Sequence, residues 1–130
     1  MRVLLDTQCW LWMQASPKRF SSSALRLIKD TENELLLSAA SSWEIAIKTA
    51  LGKLSLPMPP ADYVPDRLRS SGVTGLPIEH IHALHVASLP LHHRDPFDRM
   101  LVAQAQLERL TILTADRQLA MYDVQIEEAE

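Results

Sequence analysis

The chain has 130 residues, of which 47% are hydrophobic and 22% charged, and its formal net charge at pH 7 is −3. These values are typical of one globular domain with a single core, so we expect residues 1–130 to form one domain. The negative charge argues against a surface that attracts nucleic acid everywhere, unless acidic groups cluster in one place and a bound cation neutralises them.

Short, uniformly apolar segments alternate with helix-like segments in the N-terminal half of the chain. In chain order we predict a strand over residues 2–5, a helix from residue 7 to about residue 14, a helix over residues 21–32, a strand over residues 34–38 and a helix over residues 41–52. Ser21, Ser22 and Ser23 are candidate N-caps for the second helix, and Gly52 is the expected C-terminal stop of the third.

The alternation continues in the second half. We predict a helix after Pro65 that ends near Gly72, a strand over residues 73–77, helices over residues 78–88 and 95–109, a strand over residues 110–114, a short helix over residues 116–122 and an edge strand over residues 124–126. The helix over residues 95–109 has the clearest start, because Asp95 can cap it and Pro96 takes its first position. Apolar strands that alternate with helices predict an α/β fold whose parallel sheet is covered on both faces.

Carboxylates recur where these predicted strands end. Asp6 directly follows the first strand, Glu44 lies in the helix after the second, and Asp116 comes two residues after the strand that ends at Thr114. Asp95 and Asp98 begin the long helix before that strand. Parallel sheets bind ligands beyond the carboxyl ends of their strands, so the acids converge on the edge where a site is expected.

Several carboxylates that face one another repel, and each has its pKa raised. A hard divalent cation between them relieves the repulsion, and a donor set of oxygen atoms suits Mg²⁺ or Mn²⁺. Such an ion polarises a phosphoryl oxygen and lowers the pKa of a bound water. The chemistry that follows is phosphodiester hydrolysis without a covalent intermediate.

Four motifs carry a resemblance to a known family. In order, they are "LLDT", "SSWEIAIK", "RDPFDRMLVAQA" and "ILTAD". Together they resemble the PIN-domain ribonucleases, in particular the VapC-type toxins of bacterial type II toxin–antitoxin pairs, over nearly the whole chain. The resemblance implies a three-layer α/β/α sandwich with a central, mainly parallel sheet. It further implies Mg²⁺- or Mn²⁺-dependent endoribonuclease activity on RNA, homodimerisation and inhibition by a small cognate antitoxin.

Matched to the family's motifs, four acids are expected to be catalytic and to bind the metal: Asp6, Glu44, Asp98 and Asp116. Asp6 and Asp98 are the first-choice ligands, while Glu44 and Asp116 orient the water or bind a second ion. Thr7 and Thr114 occupy hydroxyl positions beside the acids. Asp95 stays open between capping the helix through the Asp98 N–H and acting as a further ligand, and we rank Asp98 above it.

Each acid also has a purely structural interpretation. Asp6 and Asp116 could cap the helices that follow them. Glu44 lies four residues before Lys48, a spacing typical of a surface ion pair of about 0.2–0.5 kcal/mol. Asp98, near the start of its predicted helix, would interact favourably with the helix dipole without any catalytic role. The joint occurrence of the motifs in order favours the functional interpretation.

Other side chains receive no catalytic role at this point. The histidines are His80, His82 and His85 in one helix and His92 and His93 in the following loop, where the last two could lie near the acids. Arg94 and Arg99 flank the acids, and we favour ion pairs with carboxylates over contacts to RNA phosphate. For Trp10, Trp12 and Trp43 we favour the core or a dimer interface over base stacking.

Two other classes of protein compete with the nuclease. A phosphatase of the haloacid dehalogenase type needs a second aspartate two positions after the first, where this chain has Gln8. A receiver module needs an acidic pair before its nucleophile strand and a lysine at its last strand, and "LTILTAD" offers neither. A non-catalytic interaction module with the same fold is the second alternative. The single cysteine and the absence of a signal-peptide segment or a long apolar run favour a cytoplasmic protein with no membrane contact.

Overall fold

The computed structural model describes residues 1–130. Its strands are β1 (Arg2–Leu5), β2 (Glu34–Ser38), β3 (Thr74–Leu76), β4 (Thr111–Thr114) and β5 (Gln125–Glu128). Its helices are α1 (Thr7–Ala15), α2 (Ser22–Lys29), α3 (Ala39–Ala50), α4 (Pro60–Ser71), α5 (His80–His85) and α6 (Pro96–Glu108). Three short 3₁₀ segments complete the regular structure, at Pro17–Arg19, Val86–Ser88 and Arg117–Met121.

The five strands form one sheet in the order β3-β2-β1-β4-β5, and every neighbouring pair is parallel. β1 is therefore the central strand, with Leu4 paired to Leu36 of β2 and to Ile112 of β4. The prediction of a parallel sheet is confirmed, and the edge position predicted for the last strand is confirmed as well. All carboxyl ends of the strands consequently lie on one edge of the sheet.

Both faces of the sheet are buried. Alternate residues point to opposite faces, so Val3 and Leu5 pack with Trp10 of α1 on one side, while Leu4 packs with Leu101 of α6 on the other. Each fully buried leucine contributes roughly 1.5–3 kcal/mol of hydrophobic free energy. Helices on both faces of a parallel sheet make the predicted three-layer α/β/α sandwich.

Several predicted elements differ from the structure, three of them as follows. α3 begins at Ala39, two residues early, because the buried Ser38 caps it by accepting the Ala40 N–H. α4 begins at Pro60 rather than after Pro65, since a proline at the first position starts a helix without losing a hydrogen bond. The predicted helix over residues 116–122 is a 3₁₀ segment.

No helix of the structure combines the length and the apolar character that crossing a membrane requires. The longest, α6, has 13 residues, and Asp98 and Arg99 lie in its first turn.

Candidate metal centre

The five predicted acids line one cleft at the carboxyl edge of the sheet. The cleft has a volume of about 310 Å³, and its acidic lining residues are Asp6, Glu44, Asp95, Asp98 and Asp116. Lys48 and Lys53 also line it. The structure therefore brings together groups that lie as far as 110 residues apart in the sequence.

Asp6 lies at the end of β1 and is only 7% exposed. Its Oδ1 accepts the Cys9 N–H at 2.7 Å, so it caps α1, and its Oδ2 accepts the hydroxyl of Thr114 at 2.5 Å. Burial raises the pKa of Asp6 above its ordinary value, and the hydrogen bonds from Thr114 and Cys9 oppose that effect without cancelling it. An ionised Asp6 therefore gains from a nearby cation.

Asp98 lies in the first turn of α6. Burial, and then the charge of Asp95, raise the pKa of Asp98 to about 7, while His93 acts in the opposite direction. The charges of Asp6 and Glu44 add smaller increases. The electrostatic effect of these neighbours shows that the acids share one environment.

Asp95 is the N-cap of α6. Its Oδ1 accepts the N–H groups of Phe97 and Asp98, at 2.8 and 3.3 Å. The predicted cap is confirmed. Asp95 also faces the cleft, so its capping role and a place in the acidic cluster occur together.

Glu44 is buried in α3, and both of its carboxylate oxygens have partners. Oε1 accepts a hydrogen bond from the Thr7 hydroxyl at 2.7 Å, and Oε2 accepts one from the Lys48 ammonium group at 2.5 Å. The Thr7 hydroxyl also lies 2.8 Å from the Ser41 hydroxyl. The hydrogen bond that Lys48 donates to Glu44 raises the pKa of Lys48. The ion pair that its spacing indicated is thus present, inside the cleft rather than on an open surface.

Asp116 begins the 3₁₀ segment after β4, where its Oδ1 accepts the Gln118 N–H at 2.9 Å. The Asp116 N–H donates to the Thr114 hydroxyl at 2.9 Å. Since that hydroxyl donates in turn to Asp6, Thr114 connects two of the acids.

His93 is the neighbour of the acids that sequence reasoning left without a role. Its Nε2 lies 2.9 Å from Asp116 Oδ2 and 3.1 Å from Asp98 Oδ2. Ligand-capable atoms of these three residues all lie within 4.8 Å of one another. The only signal in the sequence was the position of His93 two residues before Asp95.

One expectation for a residue near the site is wrong, and another is narrowed. Arg99 makes no ion pair with the acids: it donates to the backbone oxygens of Pro90 and Val86 and to the Tyr122 hydroxyl, and so braces the loop before α6. Of the two places predicted for Trp43, the core is excluded, because Trp43 is 61% exposed and meets Phe97 edge to face, and a dimer interface stays a prediction.

The donor chemistry of the cleft fits a divalent cation. Its acids supply oxygen atoms, which Mg²⁺ and Mn²⁺ prefer, and burial disfavours the ionised forms of Asp6 and Asp98 when no cation is near. The residues placed to hold an ion are Asp6, Asp98 and Asp116, with Asp95 and Glu44 beside them.

The sequence profile of the family described as "PIN domain" matches residues 3–125. The chain belongs to the PIN domain family. The fold is the one expected from the resemblance.

Two relatives in this family come from Mycobacterium tuberculosis. The chain is 52% identical to Ribonuclease VapC16 over 59 residues, which cover 45% of this chain and 42% of that protein. It is 29% identical to Ribonuclease VapC22 over 120 residues, which cover 90% of this chain and 88% of that one. The match to VapC16 thus spans less than half the length of that relative.

Solved structures share the PIN fold of this chain. VapBC2 from Rickettsia felis, bound to a DNA fragment from its promoter, matches with a TM-score of 0.73 and 14% identity over 100% of both chains. DNA-bound VapBC from Salmonella typhimurium matches with a TM-score of 0.69 and 16% identity over 98% of both chains. At these identities the likeness concerns the fold.

Proposed function

We propose that this PIN-domain protein is an endoribonuclease that uses Mg²⁺ or Mn²⁺ to hydrolyse RNA phosphodiester bonds. The observation that carries the proposal is the placing of the buried Asp6 and the largely buried Asp98 in one acidic cleft at the carboxyl edge of the sheet. Two relatives that are named as ribonucleases, one of them aligned over most of this chain, support it. In this proposal residues 1–130 act as one domain.

The proposal gives each acid a role. Asp6 and Asp98 are the main ligands of the ion, with Asp95 as a further candidate. The ion would supply Lewis-acid polarisation of the phosphoryl oxygen and a more acidic water. Asp116 and Glu44 orient the attacking water or hold a second ion. Thr114 and Thr7 fix the carboxylates of Asp6 and Glu44 by hydrogen bonds.

The same proposal makes the protein the toxin of a toxin–antitoxin pair, supported by solved structures of VapBC complexes with the same fold. The antitoxin would insert a segment into the acidic cleft, with an arginine directed at the carboxylates, because a guanidinium matches carboxylate geometry. We also include homodimerisation and a cytoplasmic location, where RNA substrates are found.

Cleavage of a mixed RNA pool tests the nuclease directly. Purified protein, free of antitoxin, is expected to cleave RNA with Mg²⁺ or Mn²⁺ and to lose that activity in EDTA. Folded protein that cleaves no RNA with either metal would contradict the proposal and favour a non-catalytic interaction module. Activity that EDTA leaves unchanged would contradict the metal assignment alone.

Thr114 offers a test of the hydroxyl that connects Asp6 with Asp116. Thr114→Val keeps the shape of the side chain but removes the donor to Asp6 and the acceptor of the Asp116 N–H. We expect about 10–100-fold weaker Mn²⁺ affinity and slower cleavage, the usual effect of losing a group that orients metal ligands. Thr114→Ser retains the hydroxyl and should stay within ~3-fold of the wild type. A serine variant as impaired as the valine variant would contradict the role of the hydroxyl.

A further inference from the structure

The His93 ring lies against the acidic cluster and is held from both sides. Its side chain is 13% exposed. On one side Nε2 meets Asp116 Oδ2 at 2.9 Å and Asp98 Oδ2 at 3.1 Å. On the other side Nδ1 accepts the backbone N–H of Asp95 at 3.1 Å.

These partners decide where the ring carries its proton. Because the Asp95 N–H points at Nδ1, that nitrogen presents its lone pair, and the proton of the neutral ring is on Nε2. Nε2–H therefore donates to the two carboxylates. To act as a metal ligand, Nε2 would need a free lone pair, and the proton of the neutral ring would then be on Nδ1. The Nδ1–H and the Asp95 N–H would face each other as two donors without an acceptor.

The backbone of His93 is fixed as firmly as its ring. The buried Tyr122 hydroxyl accepts the N–H groups of His92 and His93, at 3.2 and 2.9 Å. Arg99 donates to the same hydroxyl at 3.1 Å and to the Pro90 oxygen at 3.0 Å. A ring mounted on this network has little freedom to turn away from the acids.

We propose that His93 is a positioning residue that bridges Asp98 and Asp116 through its Nε2–H and is not itself a ligand of the metal. The bridge holds one oxygen of Asp98, in the first turn of α6, near one oxygen of Asp116, just after β4. Without the bridge, two carboxylates would repel and separate, and binding an ion would require them to be brought back. The inference rests on the proposed metal-dependent function.

Binding of Mn²⁺ to the purified chain tests this without RNA. We expect His93→Ala to weaken Mn²⁺ affinity by about 10–100-fold in an electron paramagnetic resonance titration. His93→Gln, whose side-chain amide can donate from near the position of Nε2, should restore the affinity to within ~5-fold of the wild type. His92→Ala is the matched control, because His92 is exposed and contacts the Tyr122 ring, and it should leave the affinity unchanged.

Pulsed electron paramagnetic resonance of bound Mn²⁺, in the wild type and in His93→Ala, distinguishes a positioning role from ligation. Mn²⁺ in the site should show no coupling to a directly bound imidazole nitrogen. Such a coupling, if lost in His93→Ala, would overturn the inference, as would a folded His93→Ala variant with wild-type affinity. A wild-type chain that binds no Mn²⁺ would overturn the proposed metal-dependent function as well, so the two failures are distinguishable.

Discussion

Asp6→Asn is expected to lower the rate of RNA cleavage by roughly 10²–10³-fold or more, the scale associated with removing one electrostatic group of a preorganised site. Asparagine has the same shape and keeps an oxygen for the Cys9 N–H, so α1 retains its cap. Its amide can also pair with the Thr114 hydroxyl, which then accepts instead of donating. The change removes the negative charge and leaves the packing intact.

Two measurements check this result. Single-turnover cleavage in Mg²⁺ gives the rate, and expression in cells gives the growth arrest, which should disappear together with cleavage. Asp66→Asn is the matched control, since Asp66 lies on α4 in an exposed ion pair with Arg67. A variant that cleaves RNA like the wild type, with circular dichroism confirming the fold, would refute Asp6 as a metal ligand.

Asp98→Asn is expected to abolish cleavage and yet to raise the melting temperature of the protein in EDTA at pH 8. The pKa of Asp98 is raised to about 7 in the folded protein, against an ordinary value of 3.8 that we take for the unfolded chain. Between these values the unfolded chain binds fewer protons than the folded one, so stability falls as pH rises from about 4 to about 7. Above pH 7 the full penalty of an ionised, buried Asp98 is present, and asparagine removes it.

The stability gained by removing the buried charge should exceed the stability lost at the start of α6. Each pH unit of pKa difference corresponds to ~1.4 kcal/mol, whereas the loss of a favourable charge at the start of α6 is worth about 0.3–1 kcal/mol. We therefore expect a net gain of about 1–3 kcal/mol in the free energy of unfolding at pH 8, and a much smaller one at pH 4.

Thermal melts in EDTA and in Mg²⁺ at pH 4, 6 and 8 measure this effect. The wild type should be stabilised by Mg²⁺ at pH 8, because an ion that binds only the folded state shifts the folding equilibrium, and the variant should lose most of that response. Asp62→Asn, in the first turn of α4, controls for the loss of a helix-start charge away from the cleft. An Asp98→Asn variant that is less stable than the wild type in EDTA at pH 8 would contradict the burial penalty.

The elements that could be predicted from the sequence are those whose signals are local. β1, β2 and β4 each have an apolar centre of two or three residues, and α6 begins with an aspartate cap and a proline, so each is recognisable within a few residues. The start of α4 was misplaced because Pro65 argues locally against a helix, while the packing of Tyr63 and Val64 in the core favours one. Tertiary packing decided the outcome there.

The same distinction holds for the site. The acids could be placed in one region because parallel strands put all their carboxyl ends on one edge. That Asp6 and Asp116 are close neighbours follows from the pairing of β1 with β4, which the structure shows. The role of His93 depends on Asp116, 23 residues away, and the partner of Arg99 is Tyr122, also 23 residues away. No periodicity or capping pattern encodes such contacts, since they depend on how the loop before α6 meets the end of the sheet.

The central position of β1 has a consequence for how the protein is made. The ribosome produces β1 before the other four strands of the sheet, but the hydrogen bond from Thr114 to Asp6 requires a residue 108 positions later, at the end of the partner strand β4. At ~5–20 residues per second that interval is on the order of 5 to 20 s. A nascent chain therefore carries an unfinished sheet centre until β4 has been translated. Under the proposed nuclease function, RNA cleavage is therefore not expected before β4 has been synthesised.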